Sequence, residues 1–215
     1  MALTIEEARE MIANGALWTR ARELLWNFAP QIHPSWLEPL GIDGRMLAAS
    51  DHIRSWVLES LGVEPCFHAF PKEDWSRLVL LDGATLLEIC KWFGVIACSD
   101  SLRQIMDGAT VRSLKAALPR VYPDAFGFTV YFKSLKAPKG DIPSGDALAE
   151  DVIATGYRIL LKLVSPLDAG LVKRFMMKLP KSFAALKPMD VKPSAVNITL
   201  LLKLKFPEAY RLCCS

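Results

Sequence analysis

Asp82–Leu118 reads DGATLLEICKWFGVIACSDSLRQIMDGATVRSLKAAL. Asp82 suits a helix N-cap. The residues after it, Gly83 to Ala97, place Leu86, Leu87, Ile89, Cys90, Trp92, Phe93 and Ile96 on nearly every side of a helix. A helix that is apolar all round belongs in the centre of a core. Ser99 then caps a polar helix through Met106, and a third helix runs from about Ala109 to Leu118. Successive helices around one buried element predict an all-α fold.

Helical signals continue in both directions. Upstream, Thr4 and Glu7 form a capping box with Gly15 as terminator, and Leu17 to Phe28 is a second run ended by Pro30. His33-Pro34-Ser35-Trp36-Leu37 is a turn entering a short helix with Pro34 at its first position. Ser50 caps a helix whose stripe is Ile53, Trp56, Val57 and Leu61, with Gly62 after it. Residues 63–74 read as a loop, and Trp75 to Leu81 is an apolar run of undecided type. Downstream, Phe128, Val130 and Phe132 alternate as a strand would, but Pro123 and Asp124 favour a helix start over 123–135. Leu148, Val152, Ile159 and Leu163 mark a helix face, Ser165-Pro166 opens another helix ending near Leu179-Pro180, and 196–206 is helix in preference to an unpaired strand. The expected architecture is all-α, a compact irregular multi-helix domain and not a regular bundle or repeat. It spans 1–215 as one domain, with Lys136 to Gly145 (KAPKGDIPSG) as an internal loop or sub-domain break.

The chain has 215 residues, 52% apolar and 23% charged, enough for a full core without metals or disulfides. Cys66, Cys90, Cys98, Cys213 and Cys214 form no regular framework, so reduced thiols are expected. Cys66-Phe67-His68 lacks the second ligand pair that zinc needs. No glycine-rich phosphate loop and no nucleophile motif occurs, so no catalytic residue, cofactor or metal is expected. The N-terminus, MALTIEEARE, has acids where a signal peptide needs a basic start, and the longest apolar stretch, Trp92 to Cys98, is too short to span a bilayer.

Charge is polarised along the sequence. Residues 1–107 carry 9 Lys+Arg against 15 Asp+Glu, a net of −6, and residues 108–215 carry 17 against 8, a net of +9. Either the two halves neutralise each other in the fold or the basic half docks on an acidic partner. All six tryptophans fall in the first 92 residues, apart from the lysines, which argues against nucleic acid. They suit core packing, with Trp18 or Trp36 as the alternatives for a partner anchor. On a helix from Pro166 to Leu179, Val172, Phe175, Met176 and Leu179 share one side. Lys173, Arg174 and Lys178 fall opposite, with Met177 exposed among them, which makes these four residues the candidate partner-binding site.

IHPSWL (Ile32 to Leu37) and LLEICKWFGVIACSDSLRQIMDGATVRSLKAAL (Leu86 to Leu118), in that order, resemble the YscK/SctK family of bacterial type III secretion accessory proteins over about residues 30–132. The bulky Cys90-Lys91-Trp92-Phe93-Gly94 stretch departs from the plainer leucine-rich helix expected there. The resemblance implies a non-enzymatic cytoplasmic adaptor of the sorting platform, peripheral to the inner membrane. It would link the cytoplasmic domain of an SctD-type ring protein to an SctQ-type pod protein, without nucleic acid and without direct membrane insertion. Two other readings stand beside it. One is a chaperone-like or regulatory protein-binding module; the other is an enzyme without a recognisable motif that uses His33 or His68.

Overall fold

A computed structural model describes residues 15–63, 74–137, 147–191 and 195–214. They hold twelve α-helices: α1 Gly15–Trp26, α2 Pro34–Leu37, α3 Gly44–Ala49, α4 Asp51–Ser60, α5 Gly83–Ala97, α6 Ser99–Leu102, α7 Gly108–Ala117, α8 Tyr122–Ala125, α9 Leu148–Val164, α10 Ala169–Met177, α11 Ala195–Lys205 and α12 Pro207–Cys214. Short 3-10 helices join them, and the described residues contain no strand and no regular repeat. The fold is all-α. The helix expected over Thr4–Gly15 and most of the loop at 63–74 lie outside the described residues.

Local chemistry explains most boundaries. Asp107 starts α7 by accepting from the Ala109 and Thr110 amides, at 3.2 and 2.8 Å. Gly62 follows α4 at a φ of +61°, a left-handed position that glycine takes without steric cost. The undecided run before Leu81 is a 3-10 helix, Asp74–Leu80. Residues 123–135 favour helix as expected, through α8 and the 3-10 turns Phe126–Phe128 and Lys133–Leu135. Three expectations are corrected. Ser165-Pro166 does not open α10; Asp168 does, accepting from the Gly170 amide at 2.8 Å. Trp56 is no part of a buried stripe, because α4 buries Val57 and leaves Trp56 45% exposed. Trp26 is likewise exposed rather than packed in the core.

The chain divides into two units. The first comprises Met1–Gly83, Val164–Ala184 and Leu202–Ser215; the second comprises Ala84–Leu163 and Ala185–Leu201. The acidic start of the chain thereby shares a unit with basic segments from its end. The first unit carries 14 basic and 14 acidic residues, and the second carries 12 and 9. Within the first unit the polarity along the sequence cancels.

In the second unit α5 is central, as its all-round apolarity predicts. Leu86, Ile89, Cys90, Trp92, Phe93, Val95 and Ile96 are buried. Trp92 meets Phe128 edge-on at 5.3 Å between ring centroids, and Phe93 meets Phe132 at 6.0 Å. These contacts explain the aromatic alternation that imitates a strand: Phe128 and Phe132 reach α5, while Val130 between them is exposed. Against α5 lies α9, backbone to backbone. A Cβ on Gly94 would stand 1.9 Å from the Val152 carbonyl oxygen, and one on Gly156 would stand 1.8 Å from that of Cys90. Burial pushes the Cys98 thiol up to about 11 and raises that of Cys90. Cys90 and Cys98 are thus buried thiols with no nucleophilic character at neutral pH, and Cys213 is buried as well.

Both flanks of the 136–145 segment belong to the second unit. Limited proteolysis within 136–145 is therefore expected to leave its products associated on a sizing column. Separation of two folded fragments would place a domain boundary there.

Candidate interaction surface

The most distinctive run in the sequence, HPSWL, forms a clasp. Pro34 opens α2, where its missing amide is no loss. His33 caps the helix through Nδ1, which accepts from the Ser35 amide at 3.3 Å. With Nδ1 an acceptor, the Ser35 hydroxyl donates to it at 2.8 Å and accepts in turn from the Lys181 amide at 2.9 Å. The His33 amide donates to the Met177 carbonyl at 2.8 Å, and Trp36 Nε1 donates to the Leu179 carbonyl at 2.9 Å. Lys181 Nζ lies 5.9 Å from the centre of the Trp36 ring. The bonds to Met177 and Leu179 satisfy carbonyls at the C-terminal end of α10, where carbonyls lose their helical partners, and Ser35 takes the Lys181 amide just beyond it. Trp36 is thus a structural brace. Replacing it by Phe keeps the ring and removes the donor, with an expected cost of about 1 kcal/mol. In a chain of this size that is a fall of ~3 °C in Tm, checked by a thermal melt.

The cationic face expected at Lys173, Arg174, Met177 and Lys178 is corrected in its exposure. Arg174, Met177 and Lys178 are each 1–2% exposed, and only Lys173 keeps partial access to solvent. The physical reason lies in what surrounds α10. Lys178 Nζ donates to the carbonyls of Val79 and Leu81, both at 2.8 Å, at the end of the 3-10 helix Asp74–Leu80. Arg174 stands over the Phe28 ring at 5.8 Å and donates to the Gly170 carbonyl at 3.2 Å. Lys173 donates to the Gly62 carbonyl. The cations of α10 serve carbonyl groups inside the first unit. Burial brings the Lys178 pKa down to about 7, against the pull of Asp82.

A surface that sequence reasoning missed lies beside the clasp. Residues 30–54 enclose an open groove of about 600 Å³. Its walls are Pro30, Ile32, Pro34, Leu37, Ile42 and Leu47, and its polar side chains are Glu38, Asp43 and Arg54. Asp43 caps α3 by accepting from the Met46 amide at 2.8 Å, and Arg54 pairs with Asp51. No spacing rule for one helix would reveal the groove, because the walls come from α2, α3 and the turns around them.

Among the described residues no group of three or more His, Cys, Asp or Glu side chains could hold a metal, and no helix is long and apolar enough to cross a membrane. Cys66 and His68 lie outside the described residues. Residues 22–214 match the family described as YOP proteins translocation protein K (YscK). The chain belongs to the YscK family. The match takes in the C-terminal third, beyond the 30–132 stretch that carries the sequence resemblance. No curated protein and no solved structure matches the chain significantly. As a YscK protein it is a type III secretion component, and the HPSWL clasp, the groove and α10 all lie within the matched residues.

Proposed function

We propose that this chain is a non-enzymatic adaptor of a type III secretion sorting platform, joining the cytoplasmic domain of an SctD-type inner-membrane ring protein to an SctQ-type pod protein. In this reading it works at the cytoplasmic face of the inner membrane, held there by its partners. The YscK match over residues 22–214 carries the reading. Co-expression of the full chain with the ring protein's cytoplasmic domain and the pod protein, all from one secretion system, tests it. A complex of the three that survives size exclusion is the expected result. Retention of neither partner would sink the adaptor role and favour the chaperone-like or regulatory reading.

A further inference from the structure

We propose that the surface of the second unit around Val130 and Tyr131 docks an acidic face of a partner protein, with these two side chains as its apolar centre and Arg103, Arg112 and Lys133 as the cations that meet the partner's carboxylates. The proposal rests on the adaptor reading and adds to it a surface and a partner chemistry. The turn that carries the apolar pair is fixed from below: Phe128 meets Trp92 edge-on and Phe132 meets Phe93, both on α5. Between those anchors Val130 is 67% and Tyr131 59% exposed. Arg103 closes the side of the turn. Its Nη2 donates to the Phe126 carbonyl at 3.4 Å and to the Thr129 hydroxyl at 3.3 Å, and its guanidinium stands 5.4 Å from the centre of the Phe126 ring. Met106, on the turn that follows Arg103, is 96% exposed. Arginine, tyrosine and methionine are the side chains in which protein interfaces are enriched, and a turn held in place beforehand spares the ordering cost of binding.

Charge decides the partner. Residues 103–136 carry six cations, Arg103, Arg112, Lys115, Arg120, Lys133 and Lys136, against two acids, Asp107 and Asp124. The Asp107 carboxylate is taken up as the cap of α7, by the amides of Ala109 and Thr110 and the Thr110 hydroxyl. Lys136 is paired with Asp100. Arg112 and Lys133 are exposed and make no hydrogen bond or ion pair among the described residues. Arg103 meets a ring, a carbonyl and a hydroxyl there, and no carboxylate within ion-pair distance. Arg112 lies by the start of α7, since a Cβ on Gly108 would stand 3.5 Å from its Nη1. This surface therefore holds cations that the chain itself does not neutralise. A basic partner would be repelled, and an acidic one is steered in and paired, with guanidinium groups shaped to hold carboxylates. A lipid surface is the weaker match, because the apolar part is a short turn and not the amphipathic helix that seats a protein in a membrane interface.

Two variants of the full chain and a control separate the outcomes. Arg112→Glu combined with Lys133→Glu reverses the unpaired cations, and Tyr131→Ser removes the ring at the centre, all at exposed positions. Arg22→Glu combined with Arg45→Glu, exposed in the first unit, makes the same change of net charge elsewhere and is the control. The probes are the purified pod protein and the purified cytoplasmic domain of the ring protein, titrated at low and high salt. The double reversal is expected to weaken binding to one probe by about tenfold or more at low salt, with the loss shrinking at high salt. Tyr131→Ser is expected to weaken binding to the same probe by about threefold or more at both salts, while the control binds as wild type. Wild-type affinity of both patch variants for both probes overturns the docking surface and leaves the adaptor reading standing. A loss in the control equal to that in the double reversal reduces the effect to net charge and overturns the surface as well. A wild-type chain that binds neither probe overturns both readings. Wild-type binding to phosphatidylglycerol vesicles that the double reversal abolishes, with both probes still bound, makes the occupant a membrane and overturns the protein partner. If the double reversal fails to fold, Tyr131→Ser alone decides the matter.

Discussion

Gly156→Ala is expected to cost at least about 3 kcal/mol, above the usual range for an overpacked core. In a chain of this size that is a fall of about 6–12 °C in Tm. The added methyl would stand 1.8 Å from the Cys90 carbonyl oxygen, 2.6 Å from its carbon and 2.8 Å from the Gly94 nitrogen. All three are backbone atoms of α5, so no side chain can swing away to make room. The two helices must separate, and every contact between them loosens with the move. Gly94→Ala meets the Val152 carbonyl in the same way and is expected to behave alike. The two costs should not add, because once the helices have parted the second methyl has space. A thermal melt of the single and double variants measures both points. A loss below about 1 kcal/mol would mean that α5 and α9 slide apart freely.

Lys178→Met is expected to cost about 3 kcal/mol at pH 8, because the carbonyls of Val79 and Leu81 lose their donor in the interior of the first unit. The pH dependence identifies the cause. Unfolded, the lysine keeps its proton up to about pH 10.5; folded, burial lowers its pKa to about 7. Between those values the unfolded chain binds a proton that the folded chain lacks. This residue's contribution to stability therefore rises with pH from about 7, and is lost as pH falls through 7, by at most about 1.4 kcal/mol per unit. The neutral amine still has two N–H donors, enough for both carbonyls. Denaturant melts of wild type and variant should show a difference that widens from pH 7 to pH 8. A constant difference would mean that Lys178 does not titrate in this range. The comparison stops at pH 8 because Cys90 and Cys98 hold their protons more tightly when folded and drive stability the opposite way at higher pH.

Gly156 and Lys178 also mark what could be seen in the sequence. Local order was legible: α5 announces itself by an apolar residue on every side, α9 by a stripe, and α2 by the proline at its start. Gly94 was visible as a glycine in a core helix, but its purpose depends on Gly156, which meets it only in the folded chain. The reading of α10 failed on exposure for a similar reason. A helix with three cations on one side looks half-solvated when water is the assumed partner. The actual partners of Lys178 are carbonyls 97 and 99 residues away in the chain, which no periodicity encodes. The groove was illegible because α2, α3 and the turns around them build it together. HPSWL stood out as a motif, while its work of fastening the end of α10 became visible only with its partners at residues 177–181.

The threading of the chain through the two units bears on its synthesis. A nascent chain releases residues 1–83 first, yet the unit they belong to is completed by 164–184 and by 202–215. Arg77 reaches the carbonyl of Cys213, 136 residues later. On the ribosome the helices of the 1–83 segment must wait, with apolar surface uncovered, until residues 202–215 have emerged. The second unit, from 84–163 and 185–201, is available sooner. Long-range closure of this kind slows folding and exposes intermediates to aggregation. A chain threaded in this way is expected to refold slowly and to yield more folded protein when a holding chaperone is present until residues 202–215 are available.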